Sequence, residues 1–464
     1  MRAQFKGNGE VKQMDRVLTF FYQWIKRQPR LAKWLEWIFK KLEHIISISD
    51  LKSFVKNLGG LFVFNRLSSV LMMFIGIMTA RILGPVEYGK IGLVGSVAGF
   101  LYIPILMGAN NSMYKYLPEC GAGQCQKLMN TALIGNILTA AFWGGIFFSA
   151  GPLAAKYFHI PPQIWQLGVG FTIILTFNTL TESFLRGQKK YTTIATIKFS
   201  STAIFFLMIL LLFLCLPNLK ADFSTFYFCN ISSQIFFIAW AIWRAGIRLT
   251  KFQISWPVVR QIYSLGTIVM VNMLLTAIIN SSDIFIVNYF YPGRAVGLYN
   301  VYQGFVKNLF TVMFFEVFAV VFLPTIATMD KTVLYQKFNR YIYWFIPIIT
   351  VITGIMTALT VLMFGKEYTL SLVYIVLVSL SIGLYSVFQM FNCIFSMEGN
   401  QGAKLCLIPL AVTVPCSLLL QFFLTKFWGI TGMMIAVLLT NLMLVFIFKV
   451  VIAYRHKFTG LAAA

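Results

Sequence analysis

From residue 58 onward the apolar positions run in long blocks separated by short polar clusters. Twelve blocks, at about 60–83, 91–113, 128–152, 162–185, 193–216, 224–243, 262–290, 297–326, 341–364, 370–395, 403–424 and 428–450, are long enough to span a membrane. A hydrocarbon core of ~30 Å takes about 20 helical residues. None of the blocks alternates with period two, and lipid offers no water to unpaired backbone groups, so the pattern predicts helices. Residues 1–56 read differently. Leu31, Trp34, Leu35, Ile38, Leu42 and Ile45 recur at helical spacing, with Lys33, Glu36, Lys40 and Glu43 opposite them. The stretch from Met14 to Arg27 repeats the theme with Val17, Leu18, Phe21 and Ile25, and Pro29 separates the two. Both are too polar to span. They read as amphipathic helices lying on anionic lipid, or packed on the cytoplasmic ends of the bundle.

Composition supports the membrane reading. Of 464 residues, 59% are apolar and 11% charged, with a mean hydropathy of +0.78; soluble proteins carry roughly 25% charged residues. The formal net charge is +24, which in a soluble chain suggests nucleic acid. Here the placement of the cations explains it. With a cytoplasmic N-terminus, 29 Lys and Arg fall on the cytoplasmic side, against Lys90, Lys156, Lys220, Arg294, Lys366 and Lys426 on the other. That asymmetry predicts both termini inside. The seven cysteines form no framework: Cys120 and Cys125 share one short loop, without the further ligands a zinc site needs. Three histidines, His44, His159 and His456, make histidine-based catalysis unpromising. No signal peptide is expected, because the first long apolar run starts near Leu58.

The chain repeats itself. ARILGPVEYGKIGLV joins the first two blocks and NYFYPGRAVGLYNVY joins the seventh and eighth; aligning Gly89 with Gly297 gives an offset of 208. SFLRGQKKY after the fourth block and IFSMEGNQG after the tenth align Gly187 with Gly399, an offset of 212. Two six-helix halves entering from the same side form a parallel repeat about an axis along the membrane normal. The expected organisation is an amphipathic segment (1–56), an N-terminal half (57–250), a C-terminal half (251–457), and a tail (458–464) with the look of an expression remnant.

The LGP-x-x-YG turn from Leu83 to Gly89, the following GANNSMYKYLPE stretch from Gly108 to Glu119, and the VGLYN turn from Val296 to Asn300 resemble oligosaccharide-lipid flippases. These belong to the multidrug, oligosaccharidyl-lipid and polysaccharide exporter superfamily, and the resemblance covers roughly residues 55–455. It implies an all-α polytopic fold of twelve transmembrane helices in two six-helix lobes around a central cavity, working by alternating access. It also implies a polyprenyl-pyrophosphate-linked oligosaccharide, such as an O-antigen or other polysaccharide repeat-unit precursor, as substrate. The bacterial cytoplasmic (inner) membrane is then the location, with polysaccharide-assembly proteins such as a polymerase as partners. The N-terminal extension departs from the family's short start.

Charges within a bilayer cost roughly 2.5–3.5 kcal/mol each on insertion scales and mark pathways or partners. Arg66 lies about 9 Å into the first helix and Lys307 about 15 Å into the eighth, at ~1.5 Å per residue. Under the repeat they align with Leu274 and Gly99, so the two halves share a scaffold but not these charges. The candidate substrate site is therefore Arg66, as a bidentate fork, and Lys307, as a point charge, facing a pyrophosphate. The alternative is a pair of structural salt bridges, Asp283 with Lys307 and Glu316 with Arg66. Glu182 and Arg186, four residues apart, read first as a local helix pair and second as cavity residues. Arg81 reads as a snorkelling residue at the end of the first helix that also meets head-group phosphate. Tyr289, Tyr291, Tyr299 and Tyr302 read as an aromatic belt, Gly92, Gly95 and Gly99 as close-packing positions, and Pro324, Pro347, Pro409 and Pro415 as kinks.

No phosphate-binding loop is present, so no nucleotide is expected to drive transport. No cofactor or metal is expected, and the coupling ion, H+ or Na+, stays open. Two rivals remain. A drug or cation antiporter of the same superfamily needs acidic cavity residues, whereas the basic residues here match or outnumber the acids. A membrane glycan polymerase or ligase needs a long outer loop with catalytic residues, and the longest outer loop has about ten residues.

Overall fold

The computed structural model describes residues 48–215, 222–247, 255–315, 331–396 and 400–461. The two N-terminal amphipathic helices, Glu316 and Pro324 lie outside these residues. The described residues form thirteen α-helices: α1 Ile48–Leu106, α2 Ala109–Tyr116, α3 Ala122–Ser149, α4 Gly151–Phe158, α5 Pro162–Gly187, α6 Tyr191–Leu210, α7 Phe223–Ala245, α8 Trp256–Phe290, α9 Arg294–Tyr299, α10 Val306–Phe310, α11 Lys331–Phe364, α12 Leu372–Ser396 and α13 Asn400–Leu461. Nine stretches among them are long and apolar enough to cross a membrane. The chain is a multi-pass membrane protein.

Two of the thirteen helices are bent pairs. α1 breaks at Gly84 (φ 73°) and α13 at Gly429 (φ 61°), left-handed positions that cost a glycine little. The internal prolines Pro347, Pro409 and Pro415 instead lie within stretches that stay helical. In a membrane, neighbouring groups can satisfy the carbonyl a proline frees, so glycine and not proline makes the sharp turns here. Gly108 (φ 68°) ends the second arm of α1 and starts α2. The eighth block, expected as one continuous helix, alternates between α9, a π-helical turn at Asn300–Phe305, α10, and a second π turn at Thr311–Phe315. Such widened turns break the regular hydrogen-bond ladder and recur at functional sites.

Packing places the core unevenly. One large apolar cluster, including Val94, Val97, Ile164, Tyr227, Val287, Val301, Ile382 and Met433, joins the first half to the second near the Gly84 turn. Toward the other end the core divides. Leu106, Leu133, Phe184, Ile197 and Phe237 gather in the first half, with Ile262 from the start of α8. Ile279, Ile342, Phe391, Leu410 and Phe448 gather in the second half. The halves are thus fused by one core at one end; at the other they meet along the start of α8, where Ser112 Oγ donates to Ile262 O (2.6 Å) and a Cβ at Gly108 would stand 2.3 Å from the Gly266 carbonyl oxygen. The outward faces are apolar: Val351, Leu419 and Phe446 are all more than half exposed, as lipid-facing positions are. Inside, short polar chains tie helices together. Ser282 Oγ donates to Gln421 Oε1 (2.7 Å), Gln421 Nε2 to Ser417 Oγ (3.0 Å), and Thr440 Oγ1 to the same Ser417 oxygen (3.0 Å). Hydroxyl and amide pairs of this kind join helices where apolar burial supplies no drive.

Candidate functional site

The site is built on the irregular helix α9–α10. Lys307 lies in the single regular turn between the two π turns. Its Nζ donates to Asn280 Oδ1 of α8 (2.5 Å) and sits 4.5 Å from the ring centroid of Tyr385 on α12. Tyr385 Oη is in turn held by Gln389 Nε2. The ammonium is therefore caged by an amide oxygen and an aromatic face, both neutral. No carboxylate lies within ion-pair distance of Lys307 among the described residues. Cation–π contact and one hydrogen bond hold the side chain in place, while the buried Asp283 carboxylate attracts its charge from beyond ion-pair distance.

Arg66 reaches the same helix from α1. Its Nη1 donates to the Met313 carbonyl (2.5 Å), inside the second π turn, whose widened ladder leaves carbonyls to be capped. Arg66, from α1, thus contacts the same irregular helix that carries Lys307. The two positions on it, Lys307 and Met313, are six residues apart, about 9 Å along a helix.

The expected pair of Asp283 with Lys307 is absent. Asp283 is 5% exposed, and its carboxylate accepts the Tyr299 hydroxyl (2.5 Å) and the Ile284 amide (2.8 Å). A phenol OH and a backbone NH stabilise the buried carboxylate as hydrogen-bond donors, and Lys307 attracts it from beyond ion-pair distance. The pairing of Arg66 with Glu316 lies outside the described residues.

The aromatic-belt reading holds for only half of its residues. Tyr289 and Tyr291 are 38% exposed, but Tyr299 and Tyr302 are 1% exposed. Tyr299 holds Asp283, while the Tyr302 hydroxyl donates to Thr369 O (2.6 Å) and accepts from the Ser371 amide (3.0 Å). The helical turn places both on the inward side of α9–α10, where a phenol needs a partner and finds one. Tyr299→Phe strands the buried carboxylate and is expected to cost about 1–3 kcal/mol, read as a lower unfolding temperature. The pair Tyr299→Phe/Asp283→Leu, which removes both polar partners, is expected to recover most of it. Equal loss in single and double variants would refute the assignment.

The remaining candidates lie elsewhere. Glu182 and Arg186 form the local pair (Oε1 to Nη2, 2.5 Å) at the end of α5. Arg81 donates from Nε to Met363 O (2.6 Å), capping the C-terminal carbonyls of α11 from the first half. Burial, and then the neighbouring Cys125 thiol, raises the pKa of Cys120 above its ordinary value, which disfavours the thiolate a metal would need. Three residues of the cage, Asn280, Tyr385 and Gln389, have no charge to mark them in the sequence. The available signal is spacing: Asn280 precedes Asp283 by three residues and Tyr385 precedes Gln389 by four, so each pair shares a helix face.

The two repeat-related turns meet each other. A Cβ at Gly297 would stand 1.8 Å from the Pro85 carbonyl oxygen, and one at Gly89 would stand 2.8 Å from the Gly297 nitrogen. The contact brings backbone against backbone between two segments about 200 residues apart in the chain. Around it, Tyr368 Oη donates to Ala80 O (3.3 Å), Arg81 to Met363 O, and Arg294 Nη2 to Glu367 O (3.1 Å). Of the small-residue positions, Gly92 packs on the Asn300 side chain and Gly95 on the Tyr227 hydroxyl, while Gly99 has open space.

A family model described as a polysaccharide biosynthesis protein matches residues 78–373. No curated protein sequence matches the chain. Among solved structures the fold is similar to that of the lipid II flippase MurJ in an inward closed conformation (TM-score 0.66, 13% identity, 85% of this chain and 87% of that one). It is also similar to a multidrug resistance MATE family transporter of the MOP superfamily in its inward-facing conformation (TM-score 0.61, 12% identity, 86% and 95%). The outward-facing conformation of such a transporter is similar as well (TM-score 0.57, 12% identity, 88% and 97%). The family match spans more than half of the residues and the fold agrees with it: the chain belongs to the polysaccharide biosynthesis protein family and has the fold of the MOP superfamily transporters.

Proposed function

We propose that the protein is a flippase that carries a polyprenyl-pyrophosphate-linked oligosaccharide from the cytoplasmic to the outer leaflet by alternating access. The observation that carries this reading is the ammonium of Lys307, caged by Asn280 and Tyr385 inside a membrane-length bundle, on the helix that Arg66 reaches from α1. An ammonium held by neutral groups keeps its attraction for an anion, and a pyrophosphate offers oxygens to both cations. The glycan occupies the water-filled space between two six-helix lobes, residues 57–250 and 251–457, while the polyprenyl tail stays in lipid. Membership of a polysaccharide biosynthesis family and likeness to a lipid II flippase support the substrate class. An antiporter for cationic drugs is less well supported, because Asp283 already accepts two hydrogen bonds.

On this reading the Gly84 end, where one core fuses the halves, is the outer end, and the end where α8 starts faces the cytoplasm. Both termini and most basic residues then lie in the cytoplasm, consistent with the charge bias. Transport is driven by an H+ or Na+ gradient, or by removal of the flipped product by polymerising partners.

Two experiments test the proposal. Cells lacking the protein are expected to accumulate the lipid-linked intermediate with its glycan on the cytoplasmic side, and accumulation on the outer side instead would refute the stated direction. Gln163, exposed in the first turn of α5, is expected to react as Gln163→Cys with an impermeant thiol reagent added outside, in a cysteine-free background. Reaction only after permeabilisation would invert the topology.

A further inference from the structure

The edge of the Gly84 end remote from the glycine contact carries a second set of contacts between the halves. The segment closing α4 ends at His159, whose backbone is left-handed (φ 52°) and whose ring is exposed. The imidazole stacks on Tyr289 of α8, with centroids 4.7 Å apart and planes inclined by 4°. Beside the stack, the side chain of Asn288, 4% exposed, donates to both the Phe158 carbonyl (3.3 Å) and the His159 carbonyl (3.2 Å). Phe158 also meets Phe285, 6.5 Å between centroids. Residues 158–159 and residues 285–289 come from opposite halves, so a rigid-body opening of this end breaks all of these contacts together.

We infer that His159 is a proton-binding latch: protonation from the outer solution tightens its stack on Tyr289 and holds the outer end of the transporter shut. This rests on the alternating-access reading given above. The physical step is the gain of a proton at the imidazole ring, with no bond broken. A neutral imidazole stacks on a phenol by dispersion, and an imidazolium in the same place adds attraction to the ring's negative face. Imidazole is also the side chain whose charge ordinarily changes between pH 5 and 8. The surroundings do not oppose the added charge strongly. On its own element the nearby charge is Lys156, whose ammonium lies over the Tyr157 ring at 5.5 Å. From α8 the titratable groups are Tyr289, Tyr291 and, one to two turns deeper, Asp283 in its bond to Tyr299. From α13 they reduce to Lys426, whose carbonyl accepts from Tyr291 Oη (3.5 Å); Phe422 stands between α13 and Tyr289 at 6.5 Å. The segment of α5 that follows His159 brings no charge before Glu182.

The sign follows from the contact. The attraction between imidazolium and phenol exists only while this end is closed, so a charge on the ring adds to closure. The added closure is complete in acid and lost as the outer pH rises. An exposed cation–π contact corresponds to about a two- to fivefold change in the opening equilibrium.

The test uses the full chain, cysteine-free, in liposomes, with spin labels at Leu153→Cys on α4 and Phe427→Cys near the Gly429 bend, both exposed positions. In the native background the fraction with a long inter-label distance is expected to be two- to fivefold lower at outer pH 5.5 than at pH 8. His159→Gln, which keeps a planar polar group at an exposed site, is expected to open equally at both pH values, and so is Tyr289→Leu. Tyr289→Phe keeps the ring and is expected to keep the pH dependence, which separates loss of the stack from misfolding. Native opening that ignores pH, or a pH dependence that survives His159→Gln, overturns the latch while leaving alternating access standing. Labels that never separate at either pH, with lipid-linked substrate present, overturn both.

Discussion

Lys307→Ala is expected to lower translocation of the lipid-linked glycan by one to two orders of magnitude while leaving the folded yield close to native. A charge-assisted hydrogen bond contributes about 1.5–3 kcal/mol, and each 1.4 kcal/mol is a factor of ten. The yield holds because the direct contacts of Lys307 are the Asn280 amide oxygen and the Tyr385 ring, and Asp283 keeps its hydrogen bonds from Tyr299 and Ile284 when the cation is lost. Removing a cation from the bilayer relieves an insertion cost of similar size, offset by the Asn280 oxygen left without its donor and by the attraction lost to Asp283. Arg66→Ala is expected to give a comparable loss of transport, together with a less regular π turn at Met313. Arg66→Lys is expected to restore only part of it, since a point charge cannot replace a fork. The decisive comparison is Lys307→Ala/Asp283→Ala. If Lys307 served to neutralise Asp283, the double variant would regain export; with the carboxylate already held by Tyr299 and Ile284, no rescue is expected. Measuring export and folded yield together decides the matter, and full export in Lys307→Ala would remove Lys307 from the substrate site.

Gly297→Val is expected to abolish closure of the Gly84 end and to cut transport more than tenfold. The first atom of any side chain at Gly297 would stand 1.8 Å from a backbone oxygen of the other half. Side chains can yield to a crowded neighbour, but here backbone faces backbone and the halves must part. Overpacking of a close contact costs typically 1–3 kcal/mol, enough to shift a two-state equilibrium by one to two decades. Gly89→Val is expected to act in the same direction more weakly, its nearest atom being 2.8 Å away. Gly99→Ala is the control: a Cβ there meets nothing within 4 Å, and alanine favours the helix. The opening is read by an outer-face thiol reagent on cysteines placed at Val86 or Ala295. Unchanged labelling and transport in Gly297→Val would show that the two turns do not control access.

The contact between Gly89 and Gly297 also shows where the sequence stops being informative. The offset of 208 aligns the two glycines in the sequence, but alignment does not imply touching, which depends on how the helices around each turn pack. The same limit applies to the tyrosines. Tyr289, Tyr291, Tyr299 and Tyr302 share a composition and a neighbourhood in the chain, yet two are 38% exposed and two are 1% exposed. The π turn at Asn300–Phe305 and the packing of α9–α10 against α8 and α11–α12 decide which side each ring takes.

What the sequence determined by itself is whatever depends on local chemistry: membrane-length helices from apolar runs, a charge bias from the loops, the Glu182–Arg186 pair from a four-residue spacing, and the cost that singles out Arg66 and Lys307. What only the tertiary structure decided is the partner of each buried polar group. Asp283 has Tyr299 rather than Lys307, and Lys307 has Asn280 and Tyr385 from two other helices. The reason is one of range. Hydropathy and helical periodicity act over a few residues and are written along the chain, whereas in lipid a polar side chain takes whichever partner an adjacent helix brings within about 3 Å, and that neighbour is set by packing among residues tens of positions apart.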